Sequence, residues 1–246
     1  EIEKNFILKD KDYELANTFW PGPLTLILEK KINSMISPLL SNNKNQVGCR
    51  IPNNEISLSL LSIIDFPIAA PSANIATRTS VTSIDDLDYK LKEIFYIDGG
   101  SSVLGLESTV IKTTKNGCKI LRLGSLTIED IKIKFPKYEI SIDQSDVSPG
   151  NQLKHYSPIK PIRINVDFVK KNETLLNFGI NELASDIKSL NLSIDENLSD
   201  ASYNFYNYLN ILDSISCDGI AVAPIPDQGL GKTINDRLRR ASHKDE

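Results

Sequence analysis

Three cysteines in 246 residues, Cys49, Cys118 and Cys217, are too few and too widely spaced for a disulfide framework or a zinc site. They point to a reducing, cytoplasmic setting. The two histidines, His155 and His243, supply no metal-ligand spacing, and no Gly-x-Ser-x-Gly elbow is present, so a Ser/His/Asp hydrolase has little support. No apolar run approaches the roughly 20 residues a spanning helix requires, which excludes a transmembrane helix and with it a membrane partner. Neither sign of charge dominates. Lys and Arg number 28 against 32 Asp and Glu, and a net charge of −4 argues against a broadly basic surface that coats nucleic acid. Internal repeats, low-complexity tracts and targeting patterns are missing. No Met opens the chain, which starts at Glu1 in what reads as the middle of a helix–strand unit.

Against these absences stand 40% hydrophobic and 24% charged residues, the balance of a globular protein with a sizeable core. Helical spacing of Leu15, Ala16, Phe19 and Trp20 predicts a helix over 10–20, stopped by Pro21-Gly22-Pro23, because proline lacks an amide donor. Strands are expected at 24–28, 47–51, 67–70, 95–98, 109–112 and 120–123, and helices at 57–64, 83–91 and 127–135. Apolar periodicity fades between Tyr138 and Pro161. The pattern then resumes with strands at 162–166 and 219–223 and helices at 181–189, 199–215 and 234–241. Alternation of this kind predicts an α/β fold.

Five segments carry candidate chemistry. Arg50 ends an apolar strand, where it either points outward with a snorkelling stem or clamps an anionic group with its planar fork. Ala69-Ala70-Pro71-Ser72-Ala73-Asn74, followed by Thr79-Ser80, is either a polar turn or a ligand loop at a strand end. Asp98-Gly99-Gly100 and Gly105-Leu106-Glu107-Ser108 match neither the P-loop nor the dinucleotide fingerprint, and a hairpin explains them equally well. His155-Tyr156-Ser157-Pro158 sits in the aperiodic stretch as a solvated linker or a ligand contact. Gly229-Leu230-Gly231-Lys232 leads into the basic residues Arg237, Arg239 and Arg240, a helix start able to hold an anion or an ordinary amphipathic face.

Taken together, Trp20-Pro21-Gly22-Pro23-Leu24-Thr25, Arg50-Ile51-Pro52, Pro71-Ser72-Ala73-Asn74, Glu107-Ser108-Thr109-Val110 and Ile120-Leu121-Arg122-Leu123-Gly124 resemble a YrdC-type domain. His155-Tyr156-Ser157-Pro158 and Asn235-Asp236-Arg237-Leu238 resemble the longer, two-domain threonylcarbamoyl-AMP synthases of the Sua/YrdC/YwlC type. The resemblance implies a twisted mixed sheet with flanking helices over residues 1–137, a linker over 138–161 and a small Rossmann-like α/β domain over 162–246. It places two further family segments, Pro-Thr-Glu-Thr and Lys-x-Arg, ahead of Glu1, so the chain is expected to lack an N-terminal part of the site.

The activity implied is synthesis of threonylcarbamoyl-AMP and pyrophosphate from L-threonine, bicarbonate and ATP, with Mg²⁺ on the triphosphate. A separate tRNA threonylcarbamoyl-transferase complex would consume the product to make N6-threonylcarbamoyladenosine. Arg50, Ala70 and Ser108 would bind threonine, and Gln46, Ser72, Ser80, Arg122, His155 and Tyr156 would bind ATP. Gln46 stands where the family usually has Thr or Ser, and Asn151-Gln152-Leu153-Lys154 replaces the common Met-Lys-Tyr-Arg. The competing expectation is a non-catalytic relative with a weak RNA contact or a regulatory role.

Overall fold

The structure, a computed structural model, describes residues 1–41, 44–75, 78–88, 91, 95–143 and 156–243. They form two compact units. One joins Glu1–Pro71 to Glu107–Ser148, and the other joins Ser72–Leu106 to Pro149–Glu246. Residues 72–106, expected inside the first of two consecutive domains, therefore pack with the C-terminal part of the chain.

The first unit is α/β, with a mixed six-stranded sheet. Its helices are α1 (Ile2–Asn5), α2 (Asp10–Phe19), α3 (Glu55–Ile63) and α4 (Ile128–Lys134). Its strands are β1 (Phe6–Ile7), β2 (Leu24–Lys30), β3 (Gln46–Cys49), β4 (Thr109–Thr113), β5 (Gly117–Arg122) and β6 (Glu139–Ile142). The sheet runs β1-β2-β4-β5-β6, with β3 also paired to β2. Strand β2 alternates because one face is covered. Leu24, Leu26 and Leu28 are buried against Leu15 of α2, Ile111, Ile120 and Ile131 of α4. Thr127 caps α4 as expected, its hydroxyl accepting from the Asp130 amide.

Strand β2 is parallel to β4, while β3 and β5 run antiparallel to these neighbours. The starts of β2 and β4 therefore share one end of the sheet with the finishes of β3 and β5. The candidate site is built at that end.

The second unit holds a four-stranded, wholly parallel sheet, β7 (Ile162–Arg163), β8 (Glu173–Asn177), β9 (Ser189–Asn191) and β10 (Gly219–Val222), in the order β7-β10-β8-β9. Helices α5 (Leu198–Ser214) and α6 (Leu230–Ala241) pack on it through Phe205, Leu209, Leu212, Ile234 and Leu238.

Several expected elements differ. Strand β6 occupies part of the expected linker. Residues 67–70 and 95–98, expected as strands, find no ladder partner among the described residues, and Phe66, Ile68, Phe95, Tyr96 and Ile97 are exposed. In place of the helix expected at 83–91, the described residues form a 3₁₀ turn at Ile84–Asp86, closed by the Ser83–Asp86 capping box. No helix forms at 181–189. There the Asn181 side chain donates to Asn177 Oδ1 and Phe178 O and accepts from the Leu183 amide, and Ser185 Oγ donates to Glu173 O. Such side-chain bonds offer the backbone an alternative to the helix. Strand β8 escaped notice because all five residues are buried, so no alternation marks it. Its Glu173 is tolerated because the Arg163 fork donates Nε to Oε1 at 2.8 Å and Nη2 to Oε2 at 2.7 Å.

Candidate active site

The Pro-Gly-Pro turn that ends α2 is tied to the exit of β3 in both directions. The Gly22 amide donates to Ile51 O at 2.9 Å, and Arg50 Nε donates to Gly22 O at 2.8 Å. This bond uses one donor of the Arg50 fork and anchors the guanidinium at the sheet end. No carboxylate among the described residues pairs with Arg50. Partial burial pushes its pKa down, and the neighbouring Arg122 charge adds to the effect. Two guanidiniums thus stand close enough to repel, an arrangement that favours a bound anion.

Ser108, just before β4, lies at the same sheet end and meets Arg122. Its hydroxyl lies 2.7 Å from Thr25 Oγ1 on β2. Arg122 Nη2 donates to Ser108 Oγ at 3.1 Å and to Ser108 O at 2.8 Å. Gly124 lets the chain after β5 lie against this segment. A Cβ there would stand 2.4 Å from both Glu107 O and the Thr109 amide nitrogen. Thr109 is fully buried, and its hydroxyl donates to Leu126 O at 2.6 Å, closing the turn from the other side. The result is a cationic corner with two adjacent hydroxyls, suited to a ligand bearing a carboxylate and further polar groups.

Of the expected threonine ligands, Arg50 and Ser108 come to this sheet end. Ala70 lies in the exposed irregular stretch after α3. Arg122, expected on ATP, is brought to the same corner as Arg50. Gln46 stands at the opposite end of β3, four residues or about 13 Å of strand from Arg50, where it accepts from Lys112 Nζ at 3.1 Å. Thr25 was missed, although a lone hydroxyl in Leu-Thr-Leu-Ile-Leu is the kind of break in an apolar run that marks it.

Ser72, Ser80 and Tyr156 belong to the second unit, and His155 lies outside the described residues. Ser72 is exposed and Ser80 half-buried. The Asn74 amide nitrogen donates to Ile75 O and Arg78 O, and Arg78 forms a parallel bridge with Ser157. Asn74 Oδ1 and Ser157 Oγ are buried without a hydrogen bond among the described residues, two polar atoms flanking that bridge. Tyr156 is 2% exposed, with its ring inside the core of the second unit.

This fold and corner define a class of protein that sequence and structure comparison also delimit. Residues 1–124 match the Sua5/YciO/YrdC family model, described as telomere recombination, and residues 125–243 match the C-terminal domain of threonylcarbamoyl-AMP synthase. The threonylcarbamoyl-AMP synthase of Pyrococcus abyssi is 31% identical over 93% of this chain and 72% of its own, and that of Bacillus subtilis 30% identical over 95% and 73%. The crystal structure of Pyrococcus abyssi Sua5 complexed with L-threonine superposes with a TM-score of 0.81 at 28% identity, covering 98% of this chain and 78% of that one. The chain belongs to the threonylcarbamoyl-AMP synthase family, and so to a family of enzymes rather than of binding modules.

Proposed function

We propose that the protein is an L-threonylcarbamoyladenylate synthase. L-Threonine and bicarbonate give the N-carboxylated amino acid and water, as the amine nitrogen forms a bond to the bicarbonate carbon. A carbamate oxygen then bonds to the α-phosphorus of ATP, and the bond to the β-phosphate oxygen breaks, releasing pyrophosphate. The observation that carries this reading is the Arg50–Arg122 pair beside the Thr25–Ser108 hydroxyls, in a fold shared with a relative that was crystallised with L-threonine.

Arg50 takes the threonine carboxylate, and Ser108, hydrogen-bonded to Thr25, orients the amino acid. Ala70 leaves room for its backbone. Arg122 neutralises charge at the α-phosphate as the oxyanion develops, and Ser72 and Ser80 contact ATP. Gln46, His155 and Tyr156 are secondary to these in the reading. Catalysis is positioning and charge stabilisation, which requires no side-chain nucleophile. Among the described residues no group of three or more His, Cys, Asp or Glu could hold a metal ion, and Mg²⁺ enters with the triphosphate of the substrate. The product serves a separate tRNA-modifying complex. The three free cysteines suit a cytoplasmic setting. No described helix is long and apolar enough to cross a membrane.

Calorimetric titration of ATP with and without threonine, paired with a pyrophosphate-release assay, tests the reading. Threonine-dependent ATP binding and bicarbonate-dependent pyrophosphate release are expected of the whole protein. Their absence in the whole protein overturns the reading.

A further inference from the structure

Residues 72–106 pack with the C-terminal part of the chain, and helix α5 touches them at two places two turns apart. Near its start, Ser202 Oγ donates to Leu104 O. Gly105, at φ 67°, lies so close that a Cβ there would stand 1.9 Å from Ser202 O. Eight residues on, or about 12 Å along the helix, Asn210 Oδ1 accepts from Thr79 Oγ1 at 2.6 Å. Thr79 is the residue before Ser80.

A second set of contacts holds the same stretch. Arg78 pairs with Ser157, which follows Tyr156. Tyr156 sits at φ 62°, a conformation that a side-chain-bearing residue keeps only when its surroundings impose it. They do so here. The Tyr156 ring lies 6.0 Å from that of Tyr206 on α5, and the guanidinium of Arg237 on α6 lies 4.6 Å from its centroid. Arg237 is fully buried and ion-paired with Asp236, which also pairs with Arg240. Moving one member of such a buried pair would leave the other charge uncompensated, which resists displacement of the ring above it.

We infer that α5 is a brace for the chain around Ser72 and Ser80, and that Asn210 is a positioning residue for ATP, acting through Thr79. The inference rests on the reading above that Ser72 and Ser80 contact ATP. It assigns the C-terminal part of the chain a task in ATP binding: it holds two hydroxyls where the nucleotide needs them, while the threonine corner is built without it. Asn210 acts through its bond to Thr79, beside Ser80, so its effect is expected on ATP rather than on threonine.

The test is steady-state pyrophosphate release by the whole protein with ATP and threonine varied in turn. Asn210→Ala removes the acceptor and is expected to raise KM for ATP about threefold to tenfold, the worth of one hydrogen bond, with kcat and KM for threonine within about twofold. Asn210→Asp keeps an oxygen acceptor and is expected to restore KM for ATP to within about twofold. Thr79→Val should match Asn210→Ala, and the double variant should be no worse than either single one, because both remove the same bond. An unchanged KM for ATP in Asn210→Ala, an equal rise for both substrates, or failure of Asn210→Asp to rescue would overturn the inference. If Asn210→Ala does not fold, Thr79→Val and Asn210→Asp decide alone. A wild-type protein that releases no pyrophosphate in response to threonine overturns the synthase reading itself, a result distinct from an active wild type with an indifferent Asn210→Ala.

Discussion

Replacing Arg50 tests the cationic corner directly. Among the described residues the side chain makes one bond, from Nε to Gly22 O, and its remaining donors are offered to a ligand in this reading. A carboxylate received by those donors is worth about 1.5–3 kcal/mol per charge-assisted bond. Arg50 keeps contact with solvent, so screening places the net effect at the low end, about 1.5–2 kcal/mol. Arg50→Ala should therefore weaken threonine binding about 10- to 30-fold. Arg50→Lys keeps the charge but offers no planar fork, and an ammonium that reaches the carboxylate gives up Gly22 O. A loss of about fivefold is expected. Binding of threonine alone, measured by calorimetry at constant ionic strength, reads the effect without involving ATP. Far-ultraviolet circular dichroism shows whether the turn survives loss of the Gly22 contact. A threonine affinity in Arg50→Ala within twofold of wild type, in a folded protein, would refute the reasoning. So would Arg50→Lys binding as tightly as wild type.

Three further outcomes follow from named contacts. Gly124→Ala drives a Cβ into the backbone of residues 107–109, so it should lower unfolding free energy in urea by about 1–3 kcal/mol and weaken threonine binding by displacing Ser108. Glu173 has its pKa pushed below 4.5, chiefly by the Arg163 hydrogen bonds. Its contribution is present above 4.5 and lost as pH falls through the depressed folded value. Glu173→Gln should thus cost about 1 kcal/mol at pH 7, with the gap to wild type closing below pH 4.5 in denaturation curves taken across that range. Burial pushes the Cys49 thiol up to about 12 and Cys118 to about 11, so neither is a thiolate at pH 8. Both should resist iodoacetamide in the native protein and react once it is unfolded, as read by mass spectrometry of the labelled peptides.

Much of the first unit was legible because local rules and burial agree there. The break at Pro21-Gly22-Pro23, the alternation of Leu24, Leu26 and Leu28, and the Thr127 cap each follow from the backbone chemistry of a few consecutive residues. Arg50, Ser108 and Arg122 could be singled out one at a time, as a cation or hydroxyl at a strand end. Other segments followed partners that no local pattern reveals. Residues 67–70 and 95–98 look like strands, yet a strand exists only where another supplies its ladder. Strand β8 looks like nothing in particular, yet it is covered on both faces.

The sequence by itself determined the α/β class, the stop after α2, the cap of α4 and the family, since these depend on residue type and spacing along the chain. Only the tertiary structure decided that Arg50 and Arg122, 72 positions apart, come to the same sheet end as Ser108. It also decided that Gln46 is carried to the other end and that residues 72–106 belong with α5 rather than with their chain neighbours. The physical reason is strand direction and packing. A parallel β2–β4 pair flanked by antiparallel β3 and β5 brings together ends that are remote in sequence. A glycine pressed against a helix backbone, as at Gly105 and Ser202, is a contact that no spacing rule encodes.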